Sequence, residues 1–203
     1  MLDLQDLCNK YIKILKFGFD NNDIIIKCIT SQLYSNFDCT CRDVYKDIDD
    51  DSVSTNSKIF LYLQCLAKLS PINYSINKIP YACLLHHQHK QMEFYKSINF
   101  NDIDSEYIKN ATVDFYHFTN MHKEFPYKII VPTLKEDFIW HSLLLDNQCY
   151  LEYTTNIIGE PMDHVFHMDF SNEVSSSTSL RTEYNNKYRP ILVQNSPTWY
   201  GCG

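Results

Sequence analysis

Residues 130–153 read IVPTLKEDFIWHSLLLDNQCYLEY, and the punctuation inside this stretch decides the fold. Thr133 is followed three residues later by Glu136, a T-x-x-E capping box in which each side chain bonds the other residue's backbone N–H. The pattern after it predicts one helix running on through Tyr150 and Tyr153 to Ile158, ended by Gly159 and Pro161. Asp137 stands one turn before His141 and shares its face. Trp140 is large enough to anchor such a helix to its neighbours. Ser142 follows His141 directly, but adjacent helical residues point apart, so the two do not form a nucleophile with its base.

Working outward, residues 102–125 predict a long helix capped near Asp104 or Ser105, with Tyr107, Ile108, Ala111, Phe115 and Phe118 as its buried stripe. It ends before Pro126, and a short extended run leads back to Thr133. Further upstream, Leu4, Leu7, Tyr11, Ile14 and Leu15 recur at helical spacing, with Gly18 as the expected stop. A second helix begins near Asn21, Asn22 or Asp23. Residues 57–69 form a strongly apolar helix, and residues 84–98 another that crowds His86, His87 and His89 beside Lys90 and Lys96. Residues 71–84, between Pro71 and Pro80 and just beyond, read as an extended connector. The acidic run around Asp47, Asp49 and Asp51 lacks the glycine and the glutamate of a calcium loop and reads as a solvated loop. Residues 171–180 are rich in serine and read as a loop or linker. The expected fold is mostly α: a single compact helical domain over residues 1–170, then a serine-rich linker and an extended C-terminal segment over residues 171–203.

Composition narrows the function. The chain has 203 residues and a net charge of -7, and its only arginines are Arg42, Arg181 and Arg189. A general coat of positive charge for nucleic acid is therefore absent, and DNA is not an expected partner. No apolar run approaches about 20 residues, so no membrane span is expected. Charges run through the first residues after Met1, so no export signal is expected, and the eight cysteines read as reduced thiols of a cytoplasmic protein. Cys39 and Cys41 form a C-x-C without a second pair, which is not a structural metal knuckle. With no glycine-rich phosphate loop and no G-x-S-x-G elbow, no catalytic residue, cofactor or metal is expected.

Val131, Pro132, Thr133, Asp137, Trp140, His141, Tyr150 or Tyr153, Gly159 and His164 together resemble the signature of the glycine-rich domain-containing protein-like family: V-P-T, then D-x-x-W-H-x-H, a later tyrosine, and G-x-x-x-x-H-x-D. The stretch VDFYHF before it resembles the family's lead-in, and the resemblance covers about residues 104–168. The chain departs from the pattern at Leu143, where the family has a second histidine, and at Val165–His167. No metal site is carried over, and His141, His164 and His167 are expected as a structural polar cluster. Pro132, Thr133, Asp137, Trp140, His141, Tyr150, Gly159 and His164 are thus expected as a scaffold.

The chain ends SPTWYGCG, with two of its four glycines, Gly201 and Gly203, beside Cys202. Glycine makes this end thin, Trp199 and Tyr200 offer faces on which bases stack, and Pro197 stiffens the approach. Length, composition and this YGCG end most resemble the family's ribosome-dormancy members. The resemblance implies a factor that binds rRNA and ribosomal proteins at the tRNA exit site of idle ribosomes and holds the mobile stalk of the large subunit. It would exclude tRNA, inhibit translation and insert Pro197–Gly203 where the end of a tRNA would lie. A monomer without enzymatic activity is expected, with Lys78, Lys90, Lys96, Lys187 and Arg189 toward RNA. A histidine-dependent metalloenzyme and a protein-interaction adaptor are the alternatives.

Overall fold

The computed structural model describes residues 4–31, 52–69, 80–162 and 173–192, with side chains of the last stretch described over 174–188. Every regular element among these residues is helical, as the sequence predicts. In chain order they are α1 (Leu4–Asp20), α2 (Asn22–Thr30), α3 (Thr55–Lys68), α4 (Tyr81–Ser97), α5 (Ser105–Glu124), α6 (Leu134–Leu144), α7 (Asn147–Ile158) and α8 (Glu173–Leu192), with a short 3-10 turn at Phe100–Asp102. They group into two compact units, built essentially from α1–α4 and from α5–α8. The Cys39–Cys41 pair, the acidic run at Asp47–Asp51, residues 71–79 of the expected connector, and residues 193–203 lie outside the described residues.

In the first unit α3 is apolar nearly all round, and Ile59, Phe60, Leu61, Tyr62, Leu63, Cys65, Leu66 and Ala67 are all buried. A helix wrapped by apolar residues belongs in an interior. Ser54 caps it, accepting a hydrogen bond from the Ser57 backbone N–H. On α1 the predicted residues Leu7, Tyr11, Ile14 and Leu15 are buried. The polar chemistry of this core comes from α4. Gln91 Oε1 accepts from the Tyr11 hydroxyl at 2.7 Å and Gln88 Oε1 from the Tyr62 hydroxyl at 2.6 Å. Gln88 Nε2 donates to the Gly18 carbonyl at 3.3 Å and to Asn22 Oδ1 at 2.9 Å. One fully buried amide therefore ties α1, α2 and α3 to α4, which satisfies polar groups that would be costly to bury alone.

Gly18 does not stop α1, which runs on to Asp20. The glycine is there for space: a Cβ on it would sit inside the Tyr62 ring. The helix expected to start at residue 84 begins at Tyr81, with Pro80 just before its first turn, where a missing N–H costs nothing.

In the second unit Asp104 caps α5, accepting from the Tyr107 N–H at 2.7 Å, and of the predicted stripe Ile108, Ala111, Phe115 and Phe118 are buried while Tyr107 is only half-buried. The helix predicted to run unbroken from residue 133 to 158 is two helices. The chain turns at Leu145–Asp146, and Asp146 becomes a fresh N-cap, accepting from the Cys149 N–H at 3.1 Å. The serine-rich stretch expected as a linker is also different, since residues 173–180 are the first half of α8.

The Gly18 contact makes a signed prediction. At an open helical site Gly→Ala stabilises by about 1 kcal/mol. Here Gly18→Ala must displace a ring that is buried and held by Gln88. Thermal unfolding of G18A is expected to show destabilisation of roughly 1–3 kcal/mol, the usual cost of overpacking. A raised melting temperature would contradict this packing.

Candidate functional site

The described residues of the signature, from Val131 to Gly159, come together in the second unit, around a bracket that fixes the start of α6. Thr133 and Glu136 form the predicted capping box: the Glu136 N–H donates to Thr133 Oγ1 at 3.3 Å, and the Thr133 N–H to Glu136 Oε2 at 2.6 Å. Glu136 is only 3% exposed, and a buried carboxylate needs a counter-charge. Arg181 of α8 supplies it in a two-pronged pair, with Nη1 donating to Oε1 at 2.7 Å and Nη2 to Oε2 at 2.6 Å. Nη2 also donates to the Val131 carbonyl at 2.6 Å, and the Val131 N–H donates to Ser177 Oγ at 2.8 Å. Both backbone groups of Val131 are thus held by α8, with half-buried Pro132 between that anchor and the cap. The guanidinium also lies 5.7 Å from the centre of the Phe118 ring, a cation–π distance.

Below the bracket lie Trp140 and its partners. Trp140 Nε1 donates to the Tyr150 hydroxyl at 3.1 Å, and that hydroxyl donates in turn to the Met162 carbonyl. The Trp140 ring packs 5.3 Å from Phe118 and 6.3 Å from Phe115, and Phe115 stacks on Tyr153 at 5.7 Å. Tyr150 rather than Tyr153 therefore closes the turn after α7, while the Tyr153 hydroxyl meets Thr119 at 3.2 Å. Gly159 ends α7 with φ of 96°, the left-handed conformation that favours glycine. His141 Nε2 lies 3.3 Å from Asp137 Oδ1 with its ring buried, the internal pair the sequence suggests. His164 and His167 lie outside the described residues. Among the described residues, no three His, Cys, Asp or Glu side chains come close enough to hold a metal ion.

Titratable groups line the seam under α8. His122 stands edge-on to Phe118 at 4.7 Å, and its Nε2 is buried without a hydrogen-bond partner. Burial, and then the Arg181 charge, push its pKa down from 6.5 to about 4. Burial raises the Tyr184 phenol to about 12. Burial raises Asp114 above the ordinary carboxylate range, with the nearby Glu136 adding to the effect. At the outer end of the seam, hydrogen bonds from Lys187 and Tyr188 hold Glu124 below that range.

Three of the lysines expected to face RNA, Lys90, Lys96 and Lys187, lie among the described residues. Lys90 pairs with Glu93 at 3.1 Å in the first unit, and Lys187 is bonded to Glu124 in the second. Lys96 borders a cleft of about 440 Å³ at the α1–α2 turn, with Asp20 and Asp23 in the same lining. Arg189 lies within α8, and Lys78 and Pro197, Trp199, Tyr200, Gly201, Cys202 and Gly203 lie outside the described residues. Arg181 is the residue that sequence reasoning missed. Its signal was compositional, one of only three arginines in a chain whose cations are mostly lysine. Arginine's planar fork fits a carboxylate with two bonds where lysine offers a single point.

Two outcomes follow. Arg181→Met leaves Glu136 buried and unpaired, so it is expected to cost roughly 3–5 kcal/mol in denaturant unfolding. Adding Glu136→Gln to it is expected to recover part of that loss in a double-mutant cycle. The depressed His122 pKa means that the unfolded chain binds the proton more tightly. The His122 contribution is therefore fully present above pH 6.5 and is lost as pH falls toward 4. Between those values, His122→Phe is expected to remove a stability loss of roughly 2–3 kcal/mol, read from unfolding curves of both proteins across that range. No family model, curated protein or solved structure matches this chain.

Proposed function

We propose that this chain is a ribosome-dormancy factor that occupies the tRNA exit site of idle ribosomes and excludes tRNA by its bulk. In this reading it belongs with the glycine-rich domain-containing protein-like family and is most similar to the microsporidian ribosome-dormancy factor. Residues 197–203 enter the large-subunit pocket that receives the tRNA end, and the body engages rRNA, ribosomal proteins and the stalk. The protein acts in the cytoplasm as a monomer, without enzymatic activity, cofactor or membrane partner.

One observation carries the reading. Thr133, Asp137, Trp140, His141, Tyr150 and Gly159 are all spent on internal bonds or a helix cap within one unit. A signature used up in this way supports a rigid body whose recognition lies in its surface and tail. Steric occupancy asks for that property, because a plug that deforms excludes nothing. No helix among the described residues is long and apolar enough to cross a membrane.

Sucrose-gradient sedimentation with purified ribosomes tests the proposal. The full chain is expected to migrate with ribosomes, and added deacylated tRNA to displace it. Removal of residues 199–203 is expected to weaken retention by roughly thirtyfold or more, from two stacking aromatics at ~1–3 kcal/mol each. A chain that stays at the top of the gradient at low salt is not a ribosome factor. Retention unchanged by the truncation removes the tail from the mechanism.

A further inference from the structure

We infer that the connection between α5 and α6 is an RNA-contacting edge, on which Tyr127 stacks against an unpaired base and Lys123 and Lys128 meet the flanking phosphates. The inference leans on the ribosome reading only for the source of the RNA.

Tyr127 is 96% exposed, by far the most exposed of the large hydrophobic residues described. Its exposure is not the fraying of a loose loop. The Phe125 N–H donates to the Met121 carbonyl at 2.8 Å and the Lys128 N–H to the Phe125 carbonyl at 3.0 Å, so the turn is closed. Pro126 fixes the backbone angle just before Tyr127. Ile130 is buried at 4%, and Val131 beyond it is gripped on both backbone groups by Ser177 and Arg181. The ring is thus presented by a backbone anchored on both sides, which lowers the ordering cost of binding. Ile129, 40% exposed, widens the apolar surface beside it.

The charge at this edge opposes that of the chain. Lys123 and Lys128 are exposed, and among the described residues no carboxylate pairs with either. The nearest acids along the chain are already matched, Glu124 by Lys187 and Tyr188 and Glu136 by Arg181. A protein of net charge -7 therefore keeps a small positive edge around a bare aromatic ring. An exposed aromatic between unpaired lysines is the arrangement used for single-stranded nucleic acid, where stacking tolerates any base and the cations follow the backbone.

Fluorescence anisotropy of a dye-labelled 12-nucleotide oligouridylate, titrated with the full chain over a series of KCl concentrations, tests the edge. Tyr127→Ala is expected to weaken binding roughly 5- to 100-fold and Tyr127→Phe to restore it. Lys123→Gln with Lys128→Gln is expected to reduce the salt slope by about 1.4. Absence of oligonucleotide binding by the wild-type chain, or binding indifferent to Tyr127, overturns the inference. Ribosome co-sedimentation of the same variants separates it from the broader reading. Retention on ribosomes that ignores Tyr127 sinks this edge alone. Tyr127-dependent oligonucleotide binding without ribosome retention supports the edge and sinks the ribosome reading. Ribosome retention that needs Tyr127 in a chain that binds no oligonucleotide assigns the edge to a protein partner and overturns the RNA assignment.

Discussion

The second unit depends on the charge of Glu136. Its carboxylate closes the capping box that starts α6, and it is buried, so it must be neutralised on the spot. Arg181 does this across 45 residues of chain, and in doing so it docks α8 and fixes the backbone at Val131. The pair is worth more as an organiser than as a net source of stability. Buried ion pairs seldom outperform apolar packing, but they penalise every arrangement that separates the partners. Ser177, Tyr184 and the Glu124–Lys187 contact then complete a largely polar attachment for a helix with little apolar surface of its own.

The boundary between what was legible and what was not follows sequence separation. The Thr133–Glu136 box, the Asp104 cap and the Asp137–His141 pair are local, and residue spacing alone gives them. The Arg181–Glu136 pair is not local, so no window of the sequence contains it. Residues 171–180 look like a linker because serine and threonine compete with helix by bonding the backbone elsewhere. In α8 that habit is turned inward: the Thr178 and Thr182 hydroxyls bond carbonyls four residues back, and Ser177 finds Val131. The break at Leu145–Asp146 was hidden by an apolar run that continues across it, although Asp146 carried the cap chemistry needed to restart the helix. Gly18 misleads for a related reason, because the ring that forbids a side chain there belongs to Tyr62 on another helix.

The same limit applies to the surface. Lysines chosen by position cannot reveal their partners, and Lys90 and Lys187 prove to be held by glutamates. Exposed pairs of this kind contribute little stability, but they remove charge from the face available to an anion. What matters at a surface is the charge left after such pairing, and that quantity is set by the fold. Lys123 and Lys128 stand out only once the acids around them have been assigned.

Helix α8 also acts as a ruler. An α-helix advances about 1.5 Å per residue, so the fifteen steps from Ser177, pinned to Val131, to Leu192 span roughly 22 Å along one rigid rod. The point where the chain leaves α8 is therefore set at a constant offset from the α5–α6 turn. A receptor engaging both the α5–α6 turn and the end of α8 must therefore carry two footholds at a matching separation. Shortening or lengthening the rod by a residue would rotate one foothold by about 100° relative to the other, given 3.6 residues per turn.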